Sequence, residues 1–178
     1  LKKDRLDPGS MISTDQFVSS VKGRLHHTRG RERPEDAYSG GTVYVDDSSG
    51  FLFVRNQVSL RASETLRGKH AFERYAATCG VNVTSYRGDN GVFRSKEYVA
   101  DLRRQKQSIR YSGVGAHHQN GVAERSIRTV SESARTMLIH AAIHWPKETN
   151  VNLWPFAGSG VSRGPGGGRI RVECHRLL

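Results

Sequence analysis

Residues 115–144 read GAHHQNGVAERSIRTVSESARTMLIHAAIH, and the fold turns on them. From Gly121 onward Ala123, Ile127, Val130, Ala134, Met137, Leu138 and Ala141 recur at helical spacing. The pattern predicts one long amphipathic helix to about His144, closed by Pro146. Asn120 stands where an N-cap belongs, so Glu124 falls in the first turns, near the positive end of the helix dipole and beside the apolar stripe. From there it can face a site lined by strand ends.

Working outward, two more acids occupy comparable places. Asp89, in RGDNG at residues 87–91, follows the β-prone run Val81 to Tyr86; Asp15, in ISTDQF at residues 12–17, lies in an apolar-alternating stretch with Met11, Phe17 and Val18. Acids at the ends of different elements can converge in a fold. Carboxylates crowded together are tolerated when a divalent cation offsets their repulsion, and hard oxygen ligands suit Mg²⁺ or Mn²⁺. The natural chemistry of such a site is phosphoryl transfer by in-line displacement, with no protein nucleophile.

Simpler readings stand beside this one. Glu124 can pair with Arg128 at i+4 on a solvated face. Asp89-Asn90-Gly91 is also an ordinary turn tripeptide. Asp46 and Asp47 lie near strands and compete with Asp15 for the first acid, although the order and context of Thr-Asp-Gln-Phe favour Asp15.

Four segments carry a resemblance: MISTDQFVSS at 11–20, YSGGTVYVD at 38–46, YRGDNGVF at 86–93 and GAHHQNGVAER at 115–125. Together they resemble the integrase core of copia-type retrotransposons, within the retroviral integrase superfamily, from about Pro8 to Phe156. The strongest part is Asp-Asn-Gly followed at the right distance by Gln-Asn-Gly-Val-Ala-Glu-Arg. The interval from Asp89 to Glu124 holds 34 residues, one fewer than is usual in that family, a difference that the loop Gly113 to Asn120 can absorb.

The resemblance implies a ribonuclease H-like α/β fold, a mixed sheet of about five strands flanked by helices. It implies that Asp15, Asp89 and Glu124 are the catalytic, metal-binding acids, with Mg²⁺ or Mn²⁺ as cofactor. The activity it implies is DNA end processing followed by strand transfer. DNA is the implied partner, self-association is a family habit, and the site of action is intracellular, nuclear when the substrate is chromosomal. Neither the His/Cys zinc module that usually precedes the core nor the basic region behind it is recognisable.

The chain departs from that pattern after LWPFA at residues 153–157. Where the family continues with another apolar helix, this sequence runs GSGVSRGPGGG and then RIRVECHR, so residues 1–157 read as the core and residues 158–178 as a disordered Gly/Arg-rich tail. A second reading follows: a catalytically silent, nucleic-acid-binding remnant of a retrotransposon polyprotein. The opening on Leu1 fits a piece of a longer chain.

Around the acids, Gln119 and Asn120 carry amides that can bond phosphates or base edges, and Arg125 and Arg128 can neutralise phosphates, against the alternative of a solvated helix face. His117 and His118 suit a loop touching DNA or solvent better than zinc, since no second Cys/His cluster stands at a ligand-like interval.

The 178 residues suffice for one domain with a genuine core. A net charge of +11 favours acidic partners, and with few long apolar runs nucleic acid is a better fit than membrane. Cys79 and Cys174 form neither a disulfide framework nor a zinc signature, which fits a reducing setting. The first residues lack a signal peptide's apolar core, and no small-molecule cofactor motif is present.

Elsewhere the sequence predicts a strand from Met11 to Val18, an exposed charged insertion from Val21 to Gly40, and a hairpin of Thr42–Asp46 with Phe51–Gln57. A helix from Ala62 to Thr78 stopped by Gly80, a strand from Val81 to Tyr86, a short helix from Phe93 to Leu102 and a strand from Ser108 to Tyr111 complete an alternating α/β order.

Overall fold

In the computed structural model, which describes residues 7–29, 31, 33–112 and 120–159, β1 (Ile12–Gly23) lies at the centre of a five-stranded sheet. β2 (Tyr38–Asp46) and β3 (Leu52–Gln57) extend it antiparallel on one side. On the other side β4 (Ser85–Gly88) and β5 (Ser108–Tyr111) run parallel to β1, giving the order β3-β2-β1-β4-β5. Among the described residues four α-helices accompany the sheet: α1 (Ala62–Thr78), α2 (Lys96–Arg104), α3 (Gly121–His144) and α4 (Trp154–Ser159). This is the mixed α/β sandwich that the alternating elements imply.

The period-two alternation of β2 splits the core into two layers. Tyr44 points to one face, where Ile12, Phe72, Ala76, Tyr86, Phe93, Tyr98 and Leu102 gather under α1 and α2. Val43 and Val45 point to the other and meet Leu52, Ala123 and Val130 under α3. The hairpin turn is held by Asp46, whose carboxylate accepts the amide and hydroxyl of Ser49 and the amide of Gly9, while Gly50 supplies a positive φ of 71°.

Three predicted spans, for α1, β5 and α3, coincide with the observed ones. Two strands differ. β1 does not end at Val18 but runs on to Gly23, past an irregularity in its pairing, and β2 begins at Tyr38, so part of the predicted loop is strand. β4 starts at Ser85, because Val81 turns its amide back to Ala76 and closes α1, while Val83 is buried as coil. The predicted short helix becomes a 3₁₀ turn, Val92–Arg94, followed by α2, capped by the Ser95 hydroxyl accepting from the Tyr98 amide.

Among the described residues α3 is covered as far as Ala134 and Met137, and its last turns are exposed. Ala123, Val130 and Ala134 are buried, while Ile139, Ile143 and Trp145 are 56%, 70% and 60% exposed. α4 reaches Ser159, two residues into the stretch that reads as tail, and the rest of that stretch lies outside the described residues. Among the described residues no helix is long and apolar enough to cross a membrane.

Candidate active site

Strand register brings the first two acids together. Ile12 pairs with Tyr86 and Ser13 with Arg87 between β1 and β4. Asp15 stands two residues further along β1, and Asp89 two residues beyond Arg87, one past the end of β4, so the two acids follow the paired residues on neighbouring parallel strands. Close approach is possible because Gly88 has no side chain: a Cβ there would stand 3.0 Å from the Phe93 ring and 3.3 Å from Thr14. Asp89 then leaves the strand in a turn, its carboxylate accepting the Gly91 amide at 3.1 Å, while Asn90 donates to the Ser112 carbonyl.

The third acid arrives on α3. Asn120, predicted as the N-cap, makes no capping bond; it is buried at 3% exposure and its side-chain amide donates to the Thr14 carbonyl at 3.3 Å. This fastens the start of α3 to β1, one residue from Asp15. Burial removes Asn120 from contact with a DNA surface, so its contribution is to place the helix. Glu124 follows one turn later and is exposed, as are Arg125 and Arg128. No ion pair between Glu124 and Arg128 occurs among the described residues. His117, His118 and Gln119 lie outside the described residues.

Electrostatics connects the three acids. Burial first, then the charges of Asp89 and Glu124, push Asp15 up from 3.8 to about 6, against the Gln16 amide, which donates to it at 2.8 Å. The competing acids are occupied elsewhere. Asp46 closes the hairpin, and Asp47 accepts from the Ser13 hydroxyl and pairs with Arg87 at 2.9 Å.

The donor set is chemically suited to a hard divalent cation. None of the three carboxylates has an ion pair among the described residues, and Asp15 is raised by burial and, to a lesser degree, by the charges of Asp89 and Glu124. Among the described residues no three His, Cys, Asp or Glu side chains, these acids included, stand close enough together to hold a metal ion.

Two positioning features escape a linear reading. Asn120 works through a backbone carbonyl 106 residues away, which no local pattern announces. Gly88 was visible in RGDNG, yet its role as a gap between Phe93 and Thr14 depends on tertiary packing.

No family model matches the chain, and no curated protein sequence matches it. Solved structures do. The dimeric form of the HTLV-2 integrase catalytic core domain in complex with magnesium superposes with a TM-score of 0.54 at 18% identity, over 88% of each chain. Its trimeric form gives 0.55 at 18% identity, over 86% of this chain and 85% of that one. The simian T-cell lymphotropic virus intasome in complex with PP2A regulatory subunit B56 gamma gives 0.56 at 16% identity, over 86% of this chain and 48% of that one. The chain thus has the ribonuclease H-like fold of retroviral integrase catalytic cores.

Proposed function

We propose that this protein is a copia-type integrase core, a metal-dependent polynucleotidyl transferase that trims DNA ends and joins them to target DNA. The observation that supports the reading is the fold itself, which carries Asp15 on β1, Asp89 just past the end of the neighbouring β4 and Glu124 in the first turns of α3, with the charges of Asp89 and Glu124 reaching Asp15. Asp15 and Asp89 would hold Mg²⁺ or Mn²⁺, with Glu124 completing the set. A divalent cation bound there supplies Lewis-acid activation of the attacking oxygen and neutralises charge on the leaving oxygen.

The residues' own work is positional. β1 and β4, paired at Ser13 and Arg87, would carry the first two carboxylates, and the Asn120–Thr14 bond ties the start of the helix that would bring the third. Asp15, half-buried and raised to about 6, would be one of the carboxylates that hold the cation. Arg125 and Arg128, exposed on the same helix as Glu124, are suited to neutralise phosphates of the bound duplex, and His117, His118 and Gln119 belong to the segment that precedes it. DNA is the partner, self-association is in keeping with the family, and the work is intracellular, in the nucleus when chromosomal DNA is the target.

The remnant reading is favoured by one observation, the exposure of Ile139, Ile143 and Trp145 on an uncovered helix end. A Mn²⁺-dependent nicking and strand-transfer assay on labelled duplex separates the two. The integrase reading expects products from the native chain and none from Glu124→Gln. Salt-sensitive DNA binding by both, with products from neither, would establish the remnant.

A further inference from the structure

The predicted charged insertion is a built arm rather than a slack loop. β1 carries on about 20 Å beyond Asp15 before reaching Lys22, at the usual rise per strand residue. From Lys22 to Asp36 the sequence sets five cations, Lys22, Arg24, Arg29, Arg31 and Arg33, against three acids, Glu32, Glu35 and Asp36. Lys22, Arg29, Arg31 and Arg33 are exposed.

The root of this arm is packed and bonded. Trp154 donates its indole N–H to the Val21 carbonyl at 2.9 Å, and the Arg24 amide donates to Asn152 at 2.8 Å. Gly23 lies so close under Trp154 and Pro155 that a Cβ would approach them within 2.4–2.8 Å. Leu25 and Ala37 are buried, and His26 sits against Tyr38 and edge-on to Phe156. The arm's charges are thus held out from a fixed base, which lowers the ordering cost of binding.

The rest of the chain treats cations differently. Ion pairs among the described residues employ Arg67, Lys69, His70, Arg87 and Arg104, and none employs an arm cation. Exposed Arg55 on β3 adds to the same positive region, because its charge acts on both His26 and Tyr38 at the root. Burial, then Arg55 and His27, keep His26 below its ordinary value in spite of the Pro155 backbone.

We infer that the arm of Lys22, Arg29, Arg31 and Arg33 is a second DNA-contacting surface, gripping the phosphate backbone of a duplex whose scissile end lies at Asp15. Spaced, exposed Arg side chains beyond a packed root suit phosphate oxygens and carry no base information, so the contact is sequence-independent. The inference deepens the reading above by giving its DNA a second hold, and it can be tested without catalysis.

The test is fluorescence anisotropy of a labelled 30-base-pair duplex with the full chain in EDTA, over a salt series. The Arg29→Gln/Arg31→Gln/Arg33→Gln protein should lose on the order of a hundredfold in affinity at about 0.1 M salt. Its slope of log K against log salt should shrink by roughly 2 to 3, the value for three lost phosphate contacts. Arg29→Lys/Arg31→Lys/Arg33→Lys should restore most of the slope. Arg74→Gln/Lys96→Gln/Arg103→Gln, an equal charge loss on exposed positions of α1 and α2, should change the slope by less than about 1.

Equal slopes for the two glutamine proteins, no duplex binding by the native chain, or tighter arm-dependent binding of a single-stranded RNA of equal length would each overturn the inference. Arm-dependent binding by a protein that never cleaves DNA would overturn the catalytic reading alone.

Discussion

Two clusters of ionisable side chains flank this sheet, and they are built on opposite terms. Under α1 and α2, Lys69 is fully buried, its ammonium 2.8 Å from both Glu73 and Asp101. Glu73 also accepts from the Tyr86 hydroxyl and the Gln107 amide, and Asp101 accepts from Arg104 and is bonded to His70. Burial works to raise Asp101, but the hydrogen bonds and charges of Lys69 and His70 outweigh it and hold the acid below its ordinary value. On the α3 side, Asp15 is raised to about 6 by burial and by two further acids. The first cluster is electrically closed and serves stability. The second has no ion pair among the described residues, the condition expected of the metal site proposed above.

The contrast can be broken by substitution. The largest effect expected is on activity: Asp15→Asn, Asp89→Asn and Glu124→Gln should each cut metal-dependent strand transfer by about a thousandfold or more, roughly 4 kcal/mol of barrier. Melting temperature should hold or rise in the same proteins, since each removes like-charge repulsion. Next, Lys69→Met should destabilise by about 3–5 kcal/mol in urea melts, because it strands two carboxylates that the ammonium had satisfied. If Lys69→Met is neutral, the closed cluster is not a stability element.

Proton linkage sharpens the comparison further. A folded-state value above the unfolded one means that the native, metal-free protein keeps a proton on Asp15 that the unfolded chain releases. Metal-free stability should therefore fall as pH rises from about 4 to about 6 and stay lower above that, as read by thermal melts in EDTA. Added Mn²⁺ should raise the melting temperature at pH 7.5 and scarcely at pH 5, and Asp15→Asn should flatten both responses. The smallest effect belongs to the closed cluster's outer edge. Arg104, 70% exposed, should cost only a few tenths of a kcal/mol when changed to Ala.

Sequence legibility divides along the same line. The spans of α1 and α3 were readable because their apolar positions repeat within the helix itself, and the acids Asp15, Asp89 and Glu124 because they stand in recognisable strings. Lys69 was not readable as core: a lysine counts as surface until its partner is known, and Asp101 lies 32 residues away on another helix. Nor could the sequence show that β1 outlasts Val18, since Val18 is itself 76% exposed and the pairing becomes irregular beyond it. Asp46 and Asp47 could be set aside only when Ser49, Gly9 and Arg87 were found bound to them. Local periodicity was legible, whereas roles assigned by a distant partner were not.

The most direct test of the account is Mn²⁺ binding, followed by electron paramagnetic resonance at pH 7.5, in the native chain, in Asp89→Asn and in Asp36→Asn. Asp36 is an exposed acid of the arm, well away along the chain from the three carboxylates. The account expects saturable binding in the native and Asp36→Asn proteins and its loss in Asp89→Asn. Undiminished binding by Asp89→Asn would contradict the claim that Asp15, Asp89 and Glu124 together form the metal site.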